Sequence, residues 1–435
     1  APAPAPAPVP PAPPAEEKKV DPNSGNVTFK PGKGLDIKSN DGNFSLKIQL
    51  KTQLFDEVHK QKSAKKATND FFVRRLRLSL GGNVFSKDIK YKSEVTFAAA
   101  EIGRAQPKTA EGVIPPADPT AMGAKASTAT LDRDVVTQSP LLDLYFDFTH
   151  LRDLNVRVGQ SKIPFGRERM WSDNEMIATD RSLEDAAFNF DRDMGIDIRS
   201  SDFLGVDMLH YYLGVYAAEE RNASFTTLGR GDLGLLYNAR VEFLPFGNFD
   251  EVAADFDRGA PKLSIGAAYA FLQTDGSSGY ANQTLGGTIS GTKLTNTAKI
   301  DYNAHNITAD LLFKAGGFTL LSAFHYRKVT DLPKEVTKAR NGLGFTVQGG
   351  YIVSADVPLE VYGLFSMIRQ VKKASSNQLP TNEAGGGVTY YFNKQGLKLQ
   401  AELARIWYPD SAVALDPKAK DRNDTRFRLM LQVLL

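Results

Sequence analysis

From about residue 43 onward, apolar and polar side chains trade places at every second position, the period of a strand with one apolar and one hydrated face. Phe44, Leu46, Ile48 and Leu50 are separated by Ser45, Lys47, Gln49 and Lys51. Leu76, Leu78 and Leu80 alternate with Arg75, Arg77 and Ser79, and Leu142, Leu144 and Phe146 alternate with Asp143, Tyr145 and Asp147. At the far end Phe427, Leu429, Leu431 and Val433 alternate with Arg426, Arg428, Met430 and Gln432. The pattern predicts sixteen strands, near 43–56, 70–81, 88–97, 141–148, 154–160, 193–200, 207–218, 233–244, 261–272, 301–314, 318–329, 343–353, 359–370, 385–392, 397–409 and 423–435. A short extra strand over 34–38 precedes them.

The connections have a rhythm of their own. Gaps 57–69, 98–140, 161–192, 219–232, 273–300, 330–342, 371–384 and 410–422 are long. Those between them are short, apart from an acidic one at 245–260. A water-soluble sandwich has no reason to alternate long and short loops over sixteen strands; an outer-membrane barrel does, with turns on one side and long loops on the other. The expected fold is all-β, a sixteen-stranded antiparallel transmembrane β-barrel with both termini periplasmic. In hydrocarbon every backbone group needs a partner, so the strands must close into a ring. A ring of sixteen leaves an aqueous channel, which explains charge at every second position. Aromatic residues on the expected outer face, Tyr211, Tyr237, Tyr269, Phe271, Tyr326, Tyr351, Phe392 and Trp407, fit interfacial girdles.

Composition narrows the choice further. The 435 residues carry 53 Lys and Arg against 50 Asp and Glu, a formal charge of 53 − 50 = +3, too balanced for a nucleic-acid partner. No apolar run reaches the roughly 18–20 residues of a spanning helix. Zero cysteine removes disulfide scaffolds, zinc knuckles and cysteine nucleophiles. The five histidines lack metalloprotease spacing, and no serine sits in a nucleophile elbow. Asp250, Glu251, Asp255 and Asp257 lack the spacing of a calcium loop. The expectation is therefore no enzyme, no catalytic or metal site and no cofactor. Residues 1–14 hold 8 of the 23 prolines and favour a polyproline II rod. Residues 1–33 are expected to form a disordered periplasmic tail that tethers a periplasmic or cell-wall partner, with the signal peptide already removed. The barrel is expected over 34–435.

Several stretches resemble one family. FFVRRLRLSLGGNVF at 71–85, followed by YKSEVTF at 91–97, is similar to the early strand pair of the phosphate-selective porin O and P family. LDLYFDF with LNVRVGQSKIPFGRE, within 142–168, resembles that family's most recognisable segment, and TDRSLEDAAFNFDRDMGI at 179–196 its constriction loop. The resemblance implies a homotrimeric porin in contact with outer-membrane lipid and lipopolysaccharide, its third outer loop folded into the pore. The third long gap, 161–192, falls in that place.

Selectivity follows from strand parity. Lys47, Lys51, Arg75, Arg77, Lys90 and Lys92 are expected in the lumen on the first three strands, Arg426 and Arg428 on the last, and Arg157 farther round. Such a basic face draws anions. The constriction loop offers Lys162, Arg167, Arg169, Arg181 and Arg192. Against them stand Glu168, Asp173, Glu175, Asp180, Glu184, Asp185 and Asp191, so its formal charge is 5 − 7 = −2, a poor phosphate trap. The function expected is passive diffusion with a preference for phosphate or other small anions. The alternatives are a non-selective general-diffusion porin and a structural, envelope-anchoring protein.

Overall fold

The computed structural model describes residues 25–102, 140–221, 234–274, 280–285, 288–289, 292–293, 301–334 and 336–435. In chain order its strands are β1 (Gly25–Lys30), β2 (Gly34–Ser39), β3 (Ser45–Gln61), β4 (Thr68–Asn83), β5 (Ile89–Thr96), β6 (Leu141–Leu151), β7 (Leu154–Lys162), β8 (Arg192–Ser200), β9 (Leu209–Tyr216) and β10 (Leu235–Phe243). They continue with β11 (Lys262–Thr274), β12 (Thr288–Ile289), β13 (Thr292–Lys293), β14 (Tyr302–Ala315), β15 (Phe318–Thr330), β16 (Gly342–Ile352), β17 (Leu359–Gln370), β18 (Thr381–Asn393), β19 (Leu397–Trp407) and β20 (Asp424–Leu434).

β3–β11 and β14–β20 pair antiparallel in sequence order, and β20 closes the ring on β3, with Phe427 opposite Val58 and Leu431 opposite Leu54. Leu435 completes the seam by exchanging both backbone hydrogen bonds with Leu50, each 2.8 Å. The result is a closed barrel of sixteen strands, and each of the sixteen segments expected from the sequence is one of them. β12 and β13 pair only with each other. β2 is the expected short extra strand, and it pairs with the start of β3. β1 corrects the assignment of residues 1–33 to a tail. Gly25–Lys30 pairs along the whole of β2, so among the described residues the sheet begins at residue 25. Residues 1–24 lie outside the described residues, as do 103–139, which hold most of one long gap.

Connections alternate in length as expected with two exceptions: 62–67, expected as a long gap, has only six residues because β3 and β4 run on past their expected ends, and 244–261 is long. At one end of the barrel they are 84–88, 152–153, 201–208, 244–261, 316–317, 353–358 and 394–396; at the other are the longer ones. Two of them have only two residues, 152–153 and Gly316–Gly317, the latter between β14 and β15. Gly316 and Gly317 have positive φ, 58° and 95°, which suits the right-handed twist of the flanking strands.

The faces are inverted relative to a water-soluble protein. Leu144 and Phe146 of β6, Val241 and Phe243 of β10, and Phe427, Leu429 and Leu431 of β20 are exposed on the outside. Many inward positions, among them Arg240, Asp310, Arg327, Gln400 and Gln432, are buried. No described helix is long and apolar enough to cross a membrane, whereas the apolar outer band is what strands in hydrocarbon require. Alternation fails at one informative place. Gln53 pairs with Arg75 but Leu54 with Val73, so Arg74 is the extra residue of a β-bulge and turns inward beside Arg75.

Because Leu431 faces outward near the middle of β20, Leu431→Arg should destabilise the folded barrel by roughly 2–4 kcal/mol in denaturant titrations in lipid vesicles. Unchanged stability would mean that this face does not meet hydrocarbon.

Candidate functional site

The wall formed by β3–β6 and the segment 163–191 meet through charge. Lys51 donates to Glu94 at 2.8 Å, and Lys92 to Asp143 at 2.7 Å. Arg77 pairs with Glu94, with Glu101 of the short helix Ala99–Ile102, and with Asp173. Arg74 and Arg75 both grip Asp180, through Nε at 2.9 Å and Nη2 at 2.8 Å respectively. Arg192 donates to Asp143 at 2.6 Å, while Arg169 and Arg181 pair with Asp185. Ion pairs thus join eight bases (Lys51, Arg74, Arg75, Arg77, Lys92, Arg169, Arg181, Arg192) to seven acids (Glu94, Glu101, Asp143, Asp173, Asp180, Asp185, Asp191), a formal 8 − 7 = +1.

Segment 163–191 touches much of the ring. Arg167 donates to Asp310 of β14 and Ser264 of β11, each at 2.8 Å. The Asp173 carbonyl accepts from Gln53 of β3, and that of Asn174 from Lys398 of β19 and Gln432 of β20. Thr179 N–H donates to Glu402 of β19 at 3.0 Å, Leu183 N–H to Glu383 of β18 at 2.9 Å, and Glu184 N–H to Ser366 of β17. Arg327 of β15 holds the Ala187 and Phe188 carbonyls. The helix Leu183–Phe188 is started by Ser182, whose hydroxyl accepts from Asp185 N–H. It lies so close to β16 that a Cβ on Gly344 would collide with Glu184 and Phe188; only glycine permits that approach.

From the opposite end, connection 244–261 turns inward as well. Ala253 N–H donates to the Glu175 carbonyl at 3.3 Å and packs in one cluster with Trp171, Ile177 and Ala178. Lys314 holds the Asp250 and Val252 carbonyls, and Asp255 accepts from Gly317 N–H. The acids of this connection therefore diverge: Glu251 goes to Arg167 and Asp257 to Lys262. His210, Glu242 and Glu251 do offer ligand atoms within 4.8 Å of one another, but Arg167 and Arg240 already pair with those carboxylates.

The residues singled out in the sequence fall into three groups. Lys51, Arg75, Arg77, Arg426 and Arg428 are buried in the wall; Arg426 pairs with Asp424, and Arg428 with Glu57 and Glu402. Lys47 and Lys90 are exposed near the short connections, with Lys92 and Arg157 partly exposed above them; Arg157 pairs with Asp147 at 2.6 Å. Lys162, Arg167, Glu168, Arg169, Asp180, Arg181 and Arg192 are all joined to the segment or its roots, Lys162 through the Trp171 carbonyl and Arg181 through Glu168 O and Trp171 O. Arg74 and Glu101 were missed. A signal for Arg74 was present, since Val73 and Leu76 both face outward three residues apart, which only an extra residue allows.

Inside the segment two carboxyls are driven in opposite directions. Burial works to raise Asp180, yet Arg74 and Arg75 hold it well below the usual carboxylate range. Glu168 is pushed up to about 7 by burial and by the nearby charge of Asp185. Ser182 N–H, Ser182 Oγ and Gln348 donate to it without cancelling the shift.

Three comparisons bear on this barrel. The family model described as "Phosphate-selective porin O and P" matches residues 46–434. No curated protein matches the sequence. Among solved structures, an anion-selective porin from Comamonas acidovorans is similar with TM-score 0.55 and 11% identity, over 90% of this chain and 99% of that one. The outer-membrane expressed OmpT of Vibrio cholerae gives TM-score 0.48 and 11% identity, over 90% of this chain and 98% of that one.

Glu168 makes the segment sensitive to pH. Its folded value, about 7, lies above the ordinary value of about 4.3, so the stability it contributes is full below about 4.3 and is lost as pH rises through 7. Amides around Ser182 should exchange hydrogen faster at pH 8 than at pH 5 after correction for intrinsic rates. Glu168→Gln should flatten that dependence; an unchanged profile in the variant would assign it to another group.

Proposed function

This chain belongs to the phosphate-selective porin O and P family, and we propose that it is a passive outer-membrane channel preferring small anions, with segment 163–191 as its constriction. One observation carries the anion preference. Inward side chains of β14–β20 are almost all buried, whereas on β5–β8 Lys90, Lys92, Tyr145, Asp147, Arg157 and Arg199 keep water contact, with Glu94, Asp143 and Asp197 buried among them. The ion path therefore runs along β5–β8. In the half of β3–β8 nearer the short connections, the inward charges that keep water contact are Lys47, Lys90, Lys92, Arg157 and Arg199 against Asp147, a formal 5 − 1 = +4. Arg75 and Arg77 have a different role in this reading: buried and paired, they pin the segment rather than meet the solute.

Phosphate is one of the anions carried and is not trapped, because the segment's own charge is 3 − 7 = −4 and its bases, Arg167, Arg169 and Arg181, are already engaged by carboxylates. In this reading the short connections and both chain ends face the periplasm. The barrel acts as a pore and not as an enzyme, and the family resemblance supports assembly as a homotrimer. A second reading, general diffusion without ion preference, draws on the near-neutral +1 of the paired network. An envelope-anchoring role would rest on residues 1–24, which lie outside the described residues.

Lys47→Gln combined with Lys90→Gln removes two exposed bases without breaking an ion pair among the described residues. In planar bilayers the anion-to-cation permeability ratio should fall roughly two-fold at 0.01 M salt, where the Debye length is about 30 Å, and hardly at all at 1 M, where it is about 3 Å. An unchanged ratio at low salt would favour general diffusion. In mild detergent the particle should have three times the chain's mass; a monomer mass alone would refute the trimer.

A further inference from the structure

The outer wall of the barrel carries a feature that permeation does not use. Where β3, β19 and β20 approach the long connections there is a recess of about 600 Å³, lined among others by Val58, Lys60, Lys62, Leu403, Arg405 and Phe427. Strand register orders these side chains into rows. Arg405, Thr425 and Lys60 lie opposite one another across the three strands, and all three are exposed. One step toward mid-wall, Leu403, Phe427 and Val58 form the next outward row. Below it come Ala401, Leu429 and Asp56, then Leu399, Leu431 and Leu54.

With strands about 4.8 Å apart, the Arg405 and Lys60 backbones stand roughly 10 Å from each other, with a threonine hydroxyl between them. Two cations around a hydroxyl, with Lys62 beside them, suit a phosphate oxyanion. The apolar rows start directly beneath, and the small Ala401 leaves a trough along the β19–β20 side, away from Asp56. A cationic rim above an apolar trough, on a wall that faces lipid, is complementary to one kind of molecule. We propose that this recess binds an anionic phosphorylated lipid of the surrounding leaflet, its phosphate between Arg405 and Lys60 and an acyl chain over Leu403, Phe427, Leu429 and Leu431. The proposal rests on the reading of the chain as a membrane-spanning channel.

Trp407 gives a local probe, since it occupies the next outward position of β19 beyond Arg405, while the other tryptophan, Trp171, is buried inside the barrel. The protein is reconstituted in phosphatidylcholine vesicles containing brominated phosphatidylglycerol or, separately, brominated phosphatidylcholine, and Trp407→Phe supplies the Trp171 background. Brominated phosphatidylglycerol should quench Trp407 with roughly five-fold higher relative affinity, the size expected of one base at an anionic lipid surface. Lys60→Glu with Arg405→Glu should bring that ratio to one, and Lys328→Glu, at an outward position of β15 near the same rim, should leave it unchanged. Equal quenching by the two lipids in the unsubstituted protein overturns the site and leaves the channel reading intact. Loss of the preference in Lys328→Glu as well would reduce it to diffuse surface charge. Its loss on adding millimolar inorganic phosphate at constant ionic strength would make this a free-phosphate site, again overturning the lipid. Failure of both lipids to quench Trp407 means that this wall does not meet lipid, whether because a second copy covers it or because the channel reading is wrong.

Discussion

Everything in this molecule depends on backbone pairing. A strand edge open to hydrocarbon would leave N–H and C=O groups unsatisfied at several kcal/mol each, so the sheet has to meet itself. The seam between β20 and β3 does this down to the last residue, Leu435, which pairs with Leu50. Once the ring closes, side-chain chemistry has no freedom left. Alternate residues must be apolar for the outside, and the charged remainder is delivered to the interior whether or not it can be hydrated there.

The interior then has a problem of its own. Sixteen strands enclose more space than wall side chains fill, yet the charges of β3, β4, β19 and β20 are too buried to be left to water. Segment 163–191 resolves it by bringing carboxylates to the wall's bases and carbonyls to its lysines. Its excess of acid, 3 − 7 = −4 when counted alone, is a counter-charge for Arg74, Arg75 and Arg77. Removing one member of such a buried pair leaves the other uncompensated, so these residues hold the segment against the wall whether or not they touch solute.

That division explains what could be read from the chain. Strand number, face assignment and loop rhythm were all legible because each follows from a period of two, a local property. The outward placement of Phe427, Leu429 and Leu431, and of Tyr237, Tyr269, Tyr351 and Phe392, needed nothing more. The partners of the lumen bases were not legible. Arg77 meets Asp173, 96 residues away, and Arg167 meets Asp310, 143 residues away; no periodicity reports such pairs. Parity placed Arg75 and Arg77 inside, but it could not say that they would be buried there. Nor could it place Arg74, which a bulge turns inward, or Gly25–Lys30, whose alternation is too brief to stand out beside a proline-rich stretch.

Selectivity emerges from what the packing leaves over. A ring whose inward charges were all equally wet would average them, and a chain of formal charge +3 would give a nearly indifferent pore. Here segment 163–191 and connection 244–261 enter from opposite ends, meet at Glu175 and Ala253, and withdraw one side of the lumen from water. The charges that remain wet are an unequal sample of the whole, richer in Lys47, Lys90, Lys92, Arg157 and Arg199 than in carboxylates. At physiological ionic strength each is screened within about 8 Å, while same-face neighbours along a strand are about 7 Å apart. On the reading proposed above, an anion leaving Lys92 is therefore already within reach of Lys90, and the preference belongs to the row and not to any one of its members.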